Sequence, residues 1–213
     1  FHPPKDRGGT KQEEWILVIS DVQLGSRVGK EQMGGLGEYN FQIFKARIQF
    51  LLESLKHIVS YHTNPPDVLR VFFLGDLVDG STIFKGQQRQ IDLATTEQVF
   101  QGVEHFSQLI YELAKVFPKV KCYGVPGNHG RIGEKGESSP TDNLDMLTYR
   151  WIKDRLALSQ VKNASFDISS SWFQLVYVNG WVFLMEHGDS FKGWAGIPFY
   201  GAQRAKMNFQ DLL

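Results

Sequence analysis

The sequence predicts an α/β fold built in layers, in which short strands alternate with long helices. Continuous apolar runs of strand length, such as residues 15–20 and 68–74, are typical of strands buried on both faces. Between them, residues 41–61 carry apolar side chains at helical spacing, which indicates an amphipathic helix. Four of the predicted strands also lead directly into polar residues that can bind a metal ion. The first two patterns predict the fold class, and the third locates a candidate site.

The predicted elements follow one another in a regular order. Strands are expected at residues 15–20, 68–74 and 120–125, and helices at residues 41–61, 93–116 and 144–158. Residues 64–66 (Asn-Pro-Pro) end the first helix, and residues 140–142 (Pro-Thr-Asp) are the expected start of the third. Residues 172–178 and 181–185 predict a β-hairpin, because the Asn179-Gly180 dipeptide between them suits a two-residue hairpin turn. The last stretch, residues 191–213, shows no clear end.

Length and composition limit the class of protein. A chain of 213 residues with 42% hydrophobic and 22% charged residues is typical of a globular protein of one or two domains. We predict a flexible arm over residues 1–14 and one domain over residues 15–213. Because 23 basic residues balance 23 acidic ones, no overall positive charge favours nucleic acid, although a local basic patch stays open. A single cysteine and the lack of long apolar runs predict a cytoplasmic protein without internal disulfides or membrane attachment.

Residue types that bind metals stand at the ends of the predicted strands. The main candidates are Asp21, Asp76, Asn128 and His187. In open α/β sheets, sites form in the crevice beyond the carboxyl ends of the strands. Carboxylate and amide oxygens with imidazole nitrogens suit a divalent ion such as Mn²⁺, Fe²⁺ or Zn²⁺, and one carboxylate between two ions could bridge them. Each residue also has a structural interpretation as a turn residue, a helix cap or a core histidine. Their coincidence at four strand ends favours a metal site.

Four short motifs resemble, in order and spacing, those of the calcineurin-like metallophosphoesterase superfamily. They are Ser-Asp-Val-Gln at 20–23, Gly-Asp-Leu-Val-Asp-Gly at 75–80, Gly-Asn-His at 127–129 and Glu-His-Gly-Asp at 186–189. The resemblance covers roughly residues 15–190. It implies a layered αββα sandwich with mixed sheets, in which residues 15–213 form the catalytic domain. Residues 75–92 resemble, more narrowly, phosphoesterases found in phages and related to DNA repair exonucleases.

The resemblance implies a site for two divalent metal ions. Asp21 and Gln23 would hold the first ion, Asp76 would bridge both, and Asn128 and His187 would hold the second. A hydroxide between the two ions would be the nucleophile, since paired cations lower its pKa far below that of bulk water.

The resemblance also implies roles for residues outside the ions. His129 would donate a proton to the leaving oxygen or clamp the phosphate. Arg131 could contact a phosphate oxygen, or it could pair with an acidic residue of its own loop. Asp79 is expected to support the Asp76 loop, and Asp189 is expected to accept a hydrogen bond from an imidazole.

Two features depart from the family pattern. Gln23 takes the position of a usual histidine, and an amide oxygen is a weaker donor that shifts preference from zinc towards Mn²⁺ or Mg²⁺. We therefore expect Mn²⁺, with Mg²⁺, Fe²⁺ and Zn²⁺ left open. No Gly-His-x-His follows His187, which is the last histidine. We expect that the C-terminal part of the domain is missing from this sequence, and the alternative is a degenerate enzyme.

Three functions follow as hypotheses. The first is a metal-dependent phosphodiesterase that acts on nucleic acid, such as a DNA nuclease. The second is a metallophosphatase for a small molecule or a phosphoprotein, which the neutral net charge slightly favours. The third is a scaffold or binding module that keeps the fold without catalysis. The expected partners are a phosphoester substrate, with DNA as a candidate, and a second copy of the chain in a homodimer. The expected location is the cytoplasm, whether of a cell or of a phage's host.

Overall fold

A four-stranded parallel sheet forms the centre of the protein. The structure is a computed structural model and describes residues 13–191 and 198–209. Its strands are β1 (Glu14–Ile19), β2 (Val68–Phe73), β3 (Lys119–Gly124) and β4 (Ala164–Ile168), and they neighbour one another in chain order. All three strand pairs are parallel, as expected when a helix connects each strand to the next. The carboxyl ends of the strands therefore share one edge of the sheet.

Three helices cover one face of this sheet. They are α1 (Phe41–Tyr61), α2 (Thr95–Val116) and α3 (Leu144–Leu158). Alternate residues of β2 point to this side, so Phe73 packs against Phe106 of α2 and Tyr149 of α3, with ring centroids 5.5 and 5.7 Å apart. All three side chains are buried, and they belong to the larger of the two hydrophobic clusters.

A β-hairpin covers the opposite face. Its strands β5 (Phe173–Val178) and β6 (Trp181–Glu186) pair antiparallel. Asn179 and Gly180 both have positive φ, 47° and 83°, which is the geometry of a type I′ turn and confirms the predicted hairpin. Val176 and Met185 of the hairpin pack with Phe72 of β2 in the second hydrophobic cluster.

These layers confirm the predicted α/β sandwich, in which helices, sheet and second sheet follow one another. Mixed sheets were predicted, but each described sheet has one kind of pairing: the four-stranded sheet is parallel and the hairpin is antiparallel. The reason is the connectivity, since helical crossovers join the first four strands and a tight turn joins the last two. A further helix, α4 (Phe199–Phe209), contacts the hairpin through Phe209, whose ring lies 4.5 Å from that of Phe173.

Element boundaries agree with the predicted ones most closely in two helices. The bounds of α1 and α3 are as predicted, but α3 is capped by Asn143, whose side chain accepts from the N–H of Asp145, and not by residues 140–142. Strand β4 was missed, because among its five residues only Phe166 is buried and no continuous apolar run marks it. Helix α4 was missed as well. Residues 1–12 of the predicted arm lie outside the described residues.

Two short 3-10 turns, Lys30–Met33 and Gln87–Gln90, lie in the loops that follow β1 and β2. None of the helices in the described ranges is long and apolar enough to cross a lipid bilayer.

Candidate metal centre

Side chains from four strand ends converge at one edge of the parallel sheet. Asp21 follows β1, Asp76 follows β2, Asn128 follows β3 and His187 follows β6. Asp21, Asp76 and His187 each offer a ligand atom, and these atoms all lie within 4.8 Å of one another. The Nε2 atom of His187 lies 2.9 Å from Oδ1 of Asn128 and 3.2 Å from Oδ2 of Asp76. The structure thus brings these four predicted ligands together.

The loops after β1 and β2 are tied to each other by backbone hydrogen bonds. The N–H of Asp21 donates to the carbonyl of Gly75 at 3.3 Å, and the N–H of Gln23 donates to that of Asp76 at 2.8 Å. Asp21, Gln23 and Asp76 all have positive φ, near 50°, which is uncommon for residues with a side chain. Such backbone strain is typical of functional sites, because the surrounding structure must hold it in place.

The loops after β2 and β3 approach at their glycines. Gly75 has a φ of +85°, and a Cβ built on it would collide with the backbone of Gly127. A Cβ on Gly127 would in turn collide with the side chain and the N–H of Asp76. Both motifs therefore need glycine for a steric reason, since a larger residue would push Asp76 away from Asn128.

The electrostatics of the cluster suit a cation. Asp76 is only 2% exposed, and its Oδ1 accepts from the N–H of His129 at 2.7 Å. Burial on its own lowers the pKa of His187, but the hydrogen bond and the charge of Asp76 outweigh it and raise that pKa to about 9. Two carboxylates, an amide oxygen and an imidazole form a donor set that fits a divalent ion. The residues present therefore fit the metal that the motifs imply.

His187 is oriented by the end of β2. Its Nδ1 lies 2.7 Å from the carbonyl oxygen of Leu74, which directs Nε2 towards the cluster. Asp189 was expected to accept a hydrogen bond from an imidazole, but its Oδ2 lies 3.7 Å from Nζ of Lys135. Leu74 supplies the acceptor because the end of β2 runs directly beneath the imidazole, which the sequence alone does not reveal.

His129 lies beside the cluster and is held by Asp79. The Nδ1 atom of His129 lies 2.9 Å from Oδ1 of Asp79 and 3.1 Å from its carbonyl oxygen. The hydrogen bond to Asp79 raises the pKa of His129, against the opposing effect of burial. The pair therefore favours a protonated imidazole whose second nitrogen, Nε2, is the one left for chemistry. Asp79 thus acts on His129, whereas it was expected to support the Asp76 loop.

Arg131 connects two loops through backbone carbonyls. Its Nη1 donates to the carbonyl of Asn128 at 2.9 Å, and its Nη2 donates to that of Ile83 at 3.0 Å. Arg131 was expected to contact a phosphate oxygen or to pair with an acidic residue of its loop. In the structure, its guanidinium donates to these two backbone carbonyls instead of an acidic side chain. Its Nε is buried and has no hydrogen-bond partner among the described residues.

Gln23 stands two residues beyond Asp21, and its role as a ligand stays a prediction.

A cleft of about 440 Å³ opens next to the cluster. Asn128 and His187 form the wall that it shares with the candidate metal centre. The rest of its lining combines charged and aromatic side chains, including Arg131, Lys135, Trp172 and Asp189. The cleft therefore offers room, charges of both signs and an aromatic surface beside the converging ligands.

Sequence reasoning missed Asp145. This residue lies in the first turn of α3 and is fully buried, and its carboxylate accepts hydrogen bonds from backbone N–H groups of the loops after β2 and β3. Burial raises the pKa of Asp145 to about 6, although the hydrogen bond from Gly127 opposes that rise. In the sequence it looks like an ordinary acidic residue of a helix N-terminus, where such residues are common. The only signal was its helical spacing to the apolar residues Tyr149 and Ile152, with which it shares the buried face of α3.

Comparison with protein families agrees with this geometry. The family model described as calcineurin-like phosphoesterase matches residues 15–211, nearly the whole chain. The chain belongs to the calcineurin-like phosphoesterase family. Members of this family are metallophosphoesterases, hydrolases that use divalent metals to cleave phosphoesters. The predicted superfamily is confirmed.

Solved structures add a distant similarity. The phosphopantetheinyl hydrolase from Mycobacterium tuberculosis is 13% identical to this chain, with a TM-score of 0.29. The match covers 92% of this chain and 52% of that protein, so this chain spans about half the length of the solved relative. Comparison with curated protein sequences gives no significant match.

Proposed function

We propose that the protein is a phosphodiesterase that works with two divalent cations, Mn²⁺ being the expected ion. The observation that carries this proposal is the convergence of ligand atoms from Asp21, Asp76 and His187 within 4.8 Å, with Oδ1 of Asn128 2.9 Å from His187. Asp21 and Gln23 would hold the first ion, and Asn128 and His187 would hold the second. The buried carboxylate of Asp76 would be shared by both.

When bound, two divalent ions would stabilise charge on the phosphoryl group and lower the pKa of water at neutral pH. The chain's own residues do the rest. His129, with Nδ1 on Asp79, presents Nε2 as the proton donor to the leaving oxygen. Asp79 keeps that imidazole oriented and favours its protonated form. Arg131 is anchored at Asn128 and Ile83 and adds positive charge at the wall of the cleft.

The cleft supports a diester substrate. A phosphodiester carries a second substituent that needs space beside the reacting phosphorus, and the cleft of about 440 Å³ provides it next to Asn128 and His187. Trp172 is 43% exposed there and offers a surface on which a base can stack. Lys135 and Arg131 can contact neighbouring phosphates. DNA is therefore the first candidate substrate.

A small-molecule phosphoester is the second candidate. The balance of 23 basic and 23 acidic residues favours it, because a nuclease gains most of its affinity from positive charge along the phosphate backbone. Asp189 and Glu186 also line the cleft, and their negative charges oppose a long polyanion.

Hydrolysis assays with Mn²⁺ test both candidates. The substrates are bis-p-nitrophenyl phosphate, p-nitrophenyl phosphate and labelled single- and double-stranded DNA. Degradation of DNA supports the nuclease, and turnover of the small esters alone supports the second candidate. Asp76→Asn should lower the rate at least about 10²-fold, because it weakens the shared ligand. The exposed Asp154→Asn on α3 is the matched control. Full activity of Asp76→Asn, or no hydrolysis of any substrate by the wild type, contradicts the proposal.

A further inference from the structure

One buried carboxylate from α3 joins the two loops that carry the central metal ligands. Oδ2 of Asp145 accepts from the N–H of Asp76 and from the N–H of Gly127, both at 2.9 Å. Oδ1 accepts from the N–H of Leu77 at 2.9 Å and, more weakly, from that of Val78 at 3.4 Å. Asp145 is 0% exposed, so water does not compete for these bonds.

The N–H groups that donate to Oδ2 of Asp145 belong to Asp76 and to the residue before Asn128. Asp76 is the residue assigned as the bridging ligand, and Gly127 immediately precedes Asn128, a ligand of the second ion. A single oxygen, Oδ2, therefore sets the spacing between the loops after β2 and β3. The glycine at 127 allows this close approach, because a Cβ there would collide with Asp76.

The start of α3 reinforces the same link. The N–H of Asp145 donates to Oδ1 of Asn143 at 2.8 Å, while Nδ2 of Asn143 donates to the carbonyl of Gly127 at 2.9 Å. Gly127 is thus held through its N–H by Asp145 of α3 and through its carbonyl by Asn143, the residue that caps α3.

Only a carboxylate can accept all of these bonds. Both oxygens of a carboxylate accept hydrogen bonds. The amide of asparagine has one accepting oxygen and an NH₂ group that only donates. In Asp145→Asn, the donors on one oxygen would face another donor in a site without water. The loops would have to move apart on that side, and the ligands would move with them.

We propose that Asp145 is a positioning residue for the metal centre, which holds Asp76 and Asn128 at the separation that two cations need. This inference rests on the proposed function. It assigns Asp145 no contact with an ion or a substrate, so its effect passes through the two loops. Removal of partners that orient metal ligands typically costs about 10–100-fold in metal affinity.

Calorimetric titration of the metal-free protein with Mn²⁺ tests the proposal. We expect Asp145→Asn to bind Mn²⁺ about 10–100-fold more weakly than the wild type. The matched control is Thr148→Val, one helical turn further along α3. Thr148 is also 0% exposed, but its hydroxyl donates to Leu144 within the helix and not to the loops. Thr148→Val should bind Mn²⁺ as the wild type does, whatever it costs in melting temperature.

Hydrogen exchange gives a readout independent of the metal. In the wild type, the amides of Asp76, Leu77 and Gly127 should exchange as slowly as those of the central strands. Exchange as fast as that of exposed loop amides would overturn the proposal, even if Asp145→Asn did not fold. In a folded Asp145→Asn, these amides should lose protection while β2 and β3 keep theirs.

The outcomes separate the two proposals. If the wild type binds Mn²⁺ and Asp145→Asn binds it equally well, the positioning role is wrong and the metal centre stands. An equal loss of affinity in Asp145→Asn and Thr148→Val, at equal loss of stability, also contradicts a specific role. If the wild type itself binds no Mn²⁺, the proposed function fails, and the exchange data alone decide whether Asp145 holds the loops.

Discussion

The Nε2 atom of His187 lies 3.2 Å from Oδ2 of Asp76, and this pair of polar side chains joins the end of the hairpin to the loop after β2. His187 follows β6 and Asp76 follows β2, and the hydrophobic packing between the two sheets sets the distance between them. A divalent ion placed there would contact both residues.

His187→Ala should weaken Mn²⁺ binding, because it removes the imidazole that faces both Asp76 and Asn128. We expect metal affinity to fall at least about tenfold and the fold to remain, since His187 is not among the described residues of either hydrophobic cluster. Calorimetry and circular dichroism measure the two effects. His57→Ala, on the exposed side of α1, is the control. Unchanged affinity of His187→Ala would exclude this histidine as a ligand.

His129→Ala should keep the metal and lose most of the rate. Proton donation typically contributes about 10²–10⁴-fold to the rate. The Nδ1 atom of His129 contacts Asp79 and not the candidate metal ligands. Elemental analysis after dialysis measures the metal, and the diester assay measures the rate. Loss of bound metal from this variant would instead make His129 a ligand.

Gly75→Ala should destabilise the protein strongly. The residue has a φ of +85°, and an added Cβ would collide with the backbone of Gly127, so we expect a loss of about 3 kcal/mol or more in the free energy of unfolding. Gly86→Ala is the matched control: its φ is +88°, but no atom lies within 4 Å of an added Cβ. It should cost only the strain of the left-handed backbone, about 1–2 kcal/mol. Equal losses in urea denaturation would show that the close approach does not matter.

Lys135→Ala should weaken substrate binding more than catalysis. Lys135 lines the cleft, its side chain is 74% exposed, and it lies 3.7 Å from Asp189. A charge contact in water is worth about 1 kcal/mol, which corresponds to roughly a fivefold rise in KM at low salt with kcat little changed. The rise should shrink as salt increases. Lys153→Ala, at an exposed position of α3, is the control. An equal rise in KM in that variant would show that the substrate does not bind in the cleft.

Local patterns in the sequence predicted most of the fold. The apolar periodicity of α1 predicted its bounds, and Asn179-Gly180 predicted the hairpin turn. Strand β4 escaped because one buried residue in five gives no apolar run. An element can be predicted from the sequence when its own residues carry the burial pattern. It cannot be predicted in this way when packing against neighbouring elements stabilises it.

At the site, the sequence established which residue types stand at the strand ends, since a strand's end is a local property. Only the tertiary structure decided their partners. Leu74 orients His187, Asp79 holds His129, backbone carbonyls hold Arg131, and Asp145 joins two loops far from it in sequence. These contacts depend on how sheet, hairpin and helices pack together. A buried aspartate and an exposed aspartate are the same residue type in the sequence, and only the packing of the folded chain distinguishes them.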